Sequence, residues 1–326
     1  MNWSPLQTFI EKYDRFLLMT HVRPDADALG SQQAFAGILR TLGKSVRVFI
    51  ASNLYPRYQF FDRPHSPIER FNVEDPTLKD IQAIVILDTG TYNQLGDFGD
   101  FLKNSDLPRA VIDHHRTQDG FGGVLMQDTN SEAAGRMVYD FAQHLKIQPT
   151  VEIASDLFAA IATDTGWFRH SSTKVSTYEA AAHLVKCGAN PTKLYQLLYE
   201  NNSFGRFRLT GVALSRISME FAGKVASTEI YLNDYMECQA TPADTEDLIN
   251  YPRSIMGVEL AMIFIEQPTG GTKVSFRSSE SVDVSLLAER FSGGGHRMAA
   301  GAMIHTDLPH AKQLVMKAVE ELLPKI

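Results

Sequence analysis

Cysteine is nearly absent from this 326-residue chain: Cys187 and Cys238 stand far apart and form no metal-type pair. That excludes a thiolate zinc module and a disulfide-dense scaffold, and makes a reducing cytoplasm the expected compartment. Long apolar runs are missing too. No stretch approaches the roughly twenty residues of a membrane span. The N-terminus shows no basic-then-apolar signal pattern, so no membrane association is expected. Positive charge is in deficit, with 31 Lys and Arg against 38 Asp and Glu and a formal net charge of −7. A protein that grips long duplex nucleic acid normally carries a basic excess or a basic face. This balance argues against such a partner and permits a small phosphorylated one held by a local cluster of arginines. Repeats and low-complexity segments are absent as well. What remains is an ordinary globular composition, 44% apolar and 21% charged. Its length exceeds one ordinary core and suits two domains.

The first half alternates strand-like and helix-like segments. Phe16–Thr20 is a short apolar run ending at His21, and 27–42 shows helical spacing through Leu29, Phe35, Ile38, Leu39 and Leu42 before Gly43. Ser45–Ile50 reads as the next strand. Ala83–Leu87 ends at Asp88, and Ala110–Ile112 ends at Asp113. Strands apolar on both faces and separated by helices predict an α/β fold with a parallel sheet covered on both sides. Ligands in such sheets bind beyond the carboxyl ends of the strands, where His21, Asp25, Asp27, Asp88, Asp113 and His114 fall. Helices are expected over 132–145, 151–163 (delivering Asp164), 175–186 and from Asn190-Pro191 onward. A first domain over 1–187, a helical connector over 188–222 and a smaller α/β domain over 223–326 follow from this pattern. In the last, strands are expected at 225–232, 258–265 and 273–276, with helices at 283–291 and 308–323. A cleft between the two domains is the natural reading.

His21 and Asp25 lie four apart on a loop after a strand, with Asp27 two further on. Asp25 and Asp27 should point in different directions and serve different cations, while Asp88 from a neighbouring strand can bridge. His114 arrives from a third strand and Asp164 from the helical side. Four carboxylates packed together repel and raise one another's proton affinity; two divalent ions cancel that charge. Carboxylate and neutral imidazole ligation suits Mn²⁺, with Zn²⁺, Co²⁺ or Mg²⁺ as alternatives. Paired ions about 3.5–4 Å apart activate water and polarise a phosphoryl oxygen. Capping alone would account for Asp25-Ala26-Asp27 ahead of a helix. It does not require His21 or the paired His114-His115.

The segments His21-Val22-Arg23-Pro24-Asp25-Ala26-Asp27-Ala28-Leu29-Gly30-Ser31, Leu87-Asp88-Thr89-Gly90, Asp113-His114-His115 and Thr163-Asp164-Thr165-Gly166 resemble the DHH phosphoesterase superfamily, which includes the RecJ exonucleases and the family II inorganic pyrophosphatases. The resemblance implies one metal held by His21, Asp25 and Asp88, and a second held by Asp27, Asp88, His114 and Asp164. It implies catalytic roles for Asp88, Asp113 and His115, the last two lining the metals from behind or facing the phosphate.

Farther on, Gly293-Gly294-Gly295-His296 precedes Arg297-Met298-Ala299-Ala300-Gly301. Three glycines let backbone N–H groups approach a phosphate, and Arg277 can pair with one bidentately. A flexible glycine turn is the plainer alternative. With Val274-Ser275-Phe276-Arg277-Ser278, the segment resembles the DHHA1 domain. That resemblance implies that Arg277, Gly293, Gly294, Gly295 and His296 bind the substrate's terminal nucleotide or phosphate, and it separates the chain from the pyrophosphatases. The two-domain length is most similar to the short bacterial NrnA-type nanoRNase and 3′-phosphoadenosine 5′-phosphate phosphatase group. The implied partners are oligoribonucleotides of two to five residues and nucleotide bisphosphates, with a homodimer left open. A phosphodiesterase acting on c-di-AMP or pApA, and a non-catalytic nucleotide-binding module, are the competing readings. Arg206, Arg208 and Arg253 would extend a phosphate track, though solvent is the commoner place for connector arginines. For Trp167, Phe168, Phe204 and Phe207, core packing is favoured over base stacking.

Overall fold

The computed structural model describes residues 1–279 and 282–322. The chain divides into two compact units, Met1–Asn201 and Asn202–Ile326. The first is built on six strands: β1 (Arg15–Met19), β2 (Ser45–Ile50), β3 (Ile68–Arg70), β4 (Ala83–Leu87), β5 (Arg109–Asp113) and β6 (Val124–Gln127). They are parallel throughout, in the order β3-β2-β1-β4-β5-β6. The helices are α1 (Ser4–Lys12), α2 (Ala26–Thr41), α3 (Asp97–Lys103), α4 (Ala134–His144), α5 (Val151–Asp164), α6 (Val175–Lys186) and α7 (Pro191–Tyr199).

Strand side chains alternate between faces, and here both faces are apolar. Phe16 and Leu18 of β1 join Ala83, Val85 and Leu87 of β4 in the core beneath α1, α2 and α4 to α7. Leu17, Met19, Ile84 and Ile86 face the other way, against Phe98 and Leu102 of α3. Double burial is why these strands read as continuous apolar runs. The strand order grows outward in one direction from β1 and in the other from β4. The reversal between them opens a crevice at their carboxyl ends, the usual ligand site of such sheets. Asp88 follows the end of β4 directly, and His21 follows the end of β1 after Thr20.

α5 is held to the rest of the unit by a buried ion pair. Arg63 Nη1 donates to Asp156 Oδ2 at 2.9 Å, and Nη2 donates to Oδ1. Asp156 is 2% exposed, and burial raises its pKa to about 6 against the opposing pull of Arg63. Removing one partner of such a pair strands a buried charge. Arg63→Met should therefore cost about 3 kcal/mol by urea denaturation, whereas Arg63→Met with Asp156→Leu should recover much of the loss. A cost below about 1 kcal/mol for the single change would mean that the pair is not coupled to folding.

The second unit contains α8 (Phe204–Ser215), β7 (Ser218–Glu220), β8 (Val225–Ile230), α9 (Leu232–Cys238), α10 (Asn250–Arg253), β9 (Leu260–Glu266), β10 (Thr272–Ser278), α11 (Val284–Glu289), β11 (Gly294–His296), β12 (Ala299–Ile304) and α12 (Leu308–Leu322). Its sheet runs β11-β12-β10-β9-β8-β7, with β8 and β9 parallel and the other pairs antiparallel. α11 and α12 cover one face. Leu209 and Ala213 of α8 pack on the other with Ala261 and Ile263.

Two local readings differ from the sequence-based expectation. Residues 218–220, expected as helical connector, form the edge strand β7, because pairing with β8 supplies hydrogen bonds that local propensity does not encode. Residues 294–296, expected as a glycine loop, form β11 against β12. The His296 side chain and the expected helix end at 323 lie outside the described residues. Among the described residues no helix is long and apolar enough to cross a membrane.

Candidate metal centre

Four segments converge on the crevice. After β1 the chain turns at Arg23 (φ 54°) and presents His21 and Asp25. His21 Nδ1 lies 2.9 Å from the Val22 carbonyl oxygen. A carbonyl only accepts, so Nδ1 carries the proton and Nε2 is turned toward Asp88, 3.5 Å from Oδ2. Asp25 caps α2, its Oδ1 accepting from Ala28 N at 3.0 Å. Asp27, in the first turn of α2, caps a different helix: its oxygens accept from Ala134 N (2.7 Å) and Gly135 N (2.8 Å) at the start of α4. The capping explanation is thus correct for both aspartates, and it leaves lone pairs on each carboxylate for a second use.

Asp88 follows β4 and is 3% exposed. Its backbone sits at φ 60°, unusual for a residue other than glycine. Its Oδ1 is buried and accepts no hydrogen bond, although His114 Nε2 stands 3.4 Å away and His115 Nδ1 3.7 Å away. A buried carboxylate oxygen without a donor is costly, and a cation is the natural remedy. His114, after β5, points Nδ1 at the Ser131 carbonyl oxygen (3.2 Å) and Nε2 at Asp27 (3.8 Å), Asp88 (3.4 Å) and Asp164 (3.7 Å). Asp164 is the last residue of α5.

Ligand-type atoms of His21, Asp25 and Asp88 lie within 4.8 Å of one another, as do those of Asp27, His114 and Asp164, and those of Asp88, His114 and His115. All six residues expected to hold metal are therefore brought together, with Asp25 and Asp27 in separate groups and Asp88 beside both. Asp113 is fully buried. Its Oδ1 accepts from His115 Nδ1 at 2.7 Å and from His115 N at 3.2 Å, and its Oδ2 accepts from Gln118 Nε2. It therefore touches His115 rather than solvent. Gln118 and Gln127, which donates to the His115 carbonyl oxygen at 2.6 Å, carry no local signal that would have singled them out.

The charges respond to the crowding in two ways. Burial, together with Asp88 and Asp164, pushes Asp27 well above the usual carboxylate range. Burial and neighbouring Asp25 and Asp88 raise Asp164 to about 7, against the pull of His114. Asp88 moves the opposite way despite its burial, because His114 and His21 flank it. The mutual repulsion expected for all four carboxylates is relieved at this one by two imidazoles. Burial disfavours charge on His21 and His114 too, but the negative charge of Asp88 and the other nearby carboxylates raises them to about 9 and about 11. A mixed oxygen and imidazole donor set with an orphaned carboxylate oxygen fits hard or borderline divalent cations.

Residues 15–163 match the DHH family, N-terminal domain, and residues 224–325 match the DHHA1 domain. A Thermus thermophilus protein named bifunctional oligoribonuclease and PAP phosphatase NrnA is 30% identical over 313 residues, covering 94% of this chain and 90% of that protein. This chain belongs to the DHH family. A Bacillus subtilis protein of the same name is 27% identical over 300 residues, 91% of each chain. The crystal structure of an exopolyphosphatase-related protein from Bacteroides fragilis shares the fold, with TM-score 0.92, 23% identity and coverage of 98% of this chain and 95% of that one.

In the DHHA1 unit, β10 buries Thr272, Val274, Phe276 and Ser278 and turns Arg277 to the opposite face, where Nη1 donates to the Phe276 carbonyl oxygen at 3.0 Å. Ala299 of β12 pairs in register with both Arg277 and His296, so both lie on one row across the sheet. The three glycines differ. A Cβ on Gly293 would stand 2.2 Å from the Gly301 carbonyl oxygen, and one on Gly295 2.5 Å from that of Ala299, so packing on β12 accounts for both. Among the described residues, a Cβ on Gly294 would meet no atom within 4 Å. Arg206 is tied to the Asp244 and Glu246 carbonyl oxygens, while Arg208 and Arg253 are exposed. The four aromatics split: Trp167 and Phe168 pack on Phe158, Tyr195 and Tyr178, whereas Phe204 and Phe207 are 75% and 63% exposed.

Proposed function

We propose that this chain is a dimetal phosphoesterase that cleaves short single-stranded oligoribonucleotides to mononucleotides and removes a phosphate from 3′-phosphoadenosine 5′-phosphate. The observation that carries the reading is the adjacency of two ligand groups at the β1/β4 crevice, His21-Asp25-Asp88 and Asp27-His114-Asp164, with Asp88 Oδ1 3.4 Å from His114 Nε2 between them. The name of the Thermus relative, which matches 94% of this chain, supports the substrate class. His21, Asp25 and Asp88 would hold one cation, and Asp27, Asp88, His114 and Asp164 the other. Mn²⁺ suits these donors best, with Mg²⁺, Co²⁺ and Zn²⁺ as alternatives. Bound there, divalent cations supply Lewis acidity and neutralise charge developing on the phosphoryl oxygens. The chain's own residues then have defined tasks. Asp88 keeps an oxygen free of protein donors. Asp113 fixes His115, which faces the phosphate.

Residues 1–187 are the proposed catalytic domain, 188–222 the connector and 223–326 the substrate-binding domain, acting in the cytoplasm, with long duplex nucleic acid excluded as a partner and a homodimer left open. Within the substrate-binding domain, Arg277, Gly293, Gly294, Gly295 and His296 bind the substrate's terminal nucleotide. Gly294 is the informative position, since no atom of the described residues requires glycine there. Gly294→Ala should fold normally and raise KM about tenfold (about 1.4 kcal/mol), while Gly295→Ala should lower the melting temperature. An unchanged KM for Gly294→Ala would remove this strand from the substrate site.

The deciding experiment is a panel with added Mn²⁺: RNA from dinucleotide to longer oligomers, 3′-phosphoadenosine 5′-phosphate, pApA and c-di-AMP. Mononucleotide release from the short RNAs, with phosphate release from the bisphosphate, is the expected result. Preference for c-di-AMP would make the chain a cyclic-dinucleotide phosphodiesterase, and metal-independent binding without turnover would make it a nucleotide-binding module.

A further inference from the structure

The loops after β4 and β5 are fastened together by residues outside the proposed ligand set. Gln118 Nε2 donates to Asp113 Oδ2. Next along the chain, Asp119 N donates to the Gly90 carbonyl oxygen at 2.8 Å, and Asp119 Oδ2 accepts from Tyr92 N at 2.8 Å. Gly90 makes the close approach feasible: a Cβ there would stand 2.3–2.5 Å from the Gln118 amide group. The glycine of the Asp88-Thr89-Gly90 turn thus has a specific reason in this structure, which is room for Gln118.

We propose that Gln118 is a positioning residue that orients His115 through Asp113; the inference rests on the phosphoesterase reading above. Asp113 is fully buried, so both of its oxygens need donors. Alone, its carboxylate could present either oxygen to His115 and swing about its terminal torsion, which is broad and roughly two-fold. The Gln118 amide occupies Oδ2 and leaves Oδ1 for His115, which it meets twice, at Nδ1 (2.7 Å) and at the backbone N–H (3.2 Å). Gln127 Nε2 holds the His115 carbonyl oxygen at 2.6 Å. With Nδ1 committed as donor, one tautomer and one ring plane are selected. Gln118 is half-buried, and neither Asp113 nor Gly90 belongs to the apolar cores, so the contact orders the site more than it supports the fold.

The test is a double-mutant cycle on the full chain with Mn²⁺ and a trinucleotide substrate, paired with ¹⁵N ring spectra of histidine-labelled protein. Gln118→Ala should lower kcat about tenfold, in the range found when groups that orient ligands are removed. KM should stay within about twofold. In a His115→Ala background the same change should cost nothing further, because its effect passes through that ring. The His115 signals should lose the Nδ1-protonated pattern in Gln118→Ala. Gly90→Ala, which denies the intact glutamine its place, should reproduce both changes and serves if Gln118→Ala fails to fold. Equal losses with and without His115, or unaltered His115 ring signals, would overturn the proposal. Absence of hydrolysis by the unmutated protein would count against the phosphoesterase reading alone, since the ring spectra test the positioning separately.

Discussion

Asp88→Asn should reduce turnover on the order of a thousandfold, about 4 kcal/mol of transition-state stabilisation, while the far-UV circular dichroism spectrum stays that of the parent. Asp88 belongs to two ligand groups at once. It stands beside His21 and Asp25 in one ligand group and beside His114 and His115 in another, so its loss weakens both halves of the centre. It also bears the features of a position shaped for function rather than stability: a left-handed backbone (φ 60°) and a buried oxygen that no donor satisfies. Asparagine tolerates that backbone conformation, and the apolar strand leading to it, Ala83–Leu87, is untouched. The fold should therefore survive. Assays at saturating Mn²⁺ decide the matter, and near-parental activity would refute the assignment of Asp88 as the shared ligand.

Mn²⁺ should raise the melting temperature of the first unit, by more at pH 8.5 than at pH 6.5. At a free metal concentration a thousand times Kd, binding contributes about 4 kcal/mol, which corresponds to about 10 °C for a unit of this size. The pH dependence follows from the metal-free charges. His21 is raised to about 9 in the folded state. Its stabilising contribution is complete below the unfolded value of about 6.5 and is lost as pH climbs through 9. Asp164 is raised to about 7, so its ionisation opposes folding increasingly from the ordinary carboxylate range up to 7, and Asp27 shifts in the same direction. All three make the metal-free protein weaker as pH rises. Cation binding has the opposite slope, because imidazole ligands must first lose their protons. Calorimetric scans with Mn²⁺ and with chelator at three pH values should show the gap widening. A gap that is constant or narrows with pH would contradict the ligand set.

The candidate site was legible to an unusual degree. Each proposed ligand residue stands at or beside the end of an element that announces itself locally, as His21 does after Phe16–Thr20, Asp25 and Asp27 do at the start of α2 and Asp164 does at the end of α5. Mixed histidine and aspartate at those ends is more than capping needs. What stayed hidden was pairwise and long-range. Asp27 holds the start of α4 from 107 positions away. Gln118 looks like any polar loop residue until Asp113 is seen buried beside it. Phe204 and Trp167 could not be told apart by residue type, yet one is 75% exposed and the other packs among aromatic rings. The glycine run divides into two positions required by packing on β12 and one that is open.

By itself, the amino-acid order determined the central strands and most of the helices and which functional groups stand at their ends, because helix and strand periodicity and capping are local properties; the edge strands β7 and β11 needed their partners. The tertiary structure alone decided that β1 and β4 lie side by side at the point where the strand order reverses. It also decided which carboxylate oxygen is left without a donor and which imidazole nitrogen faces it. Those are properties of strand order and of distances between segments far apart in the chain, and no local pattern encodes them.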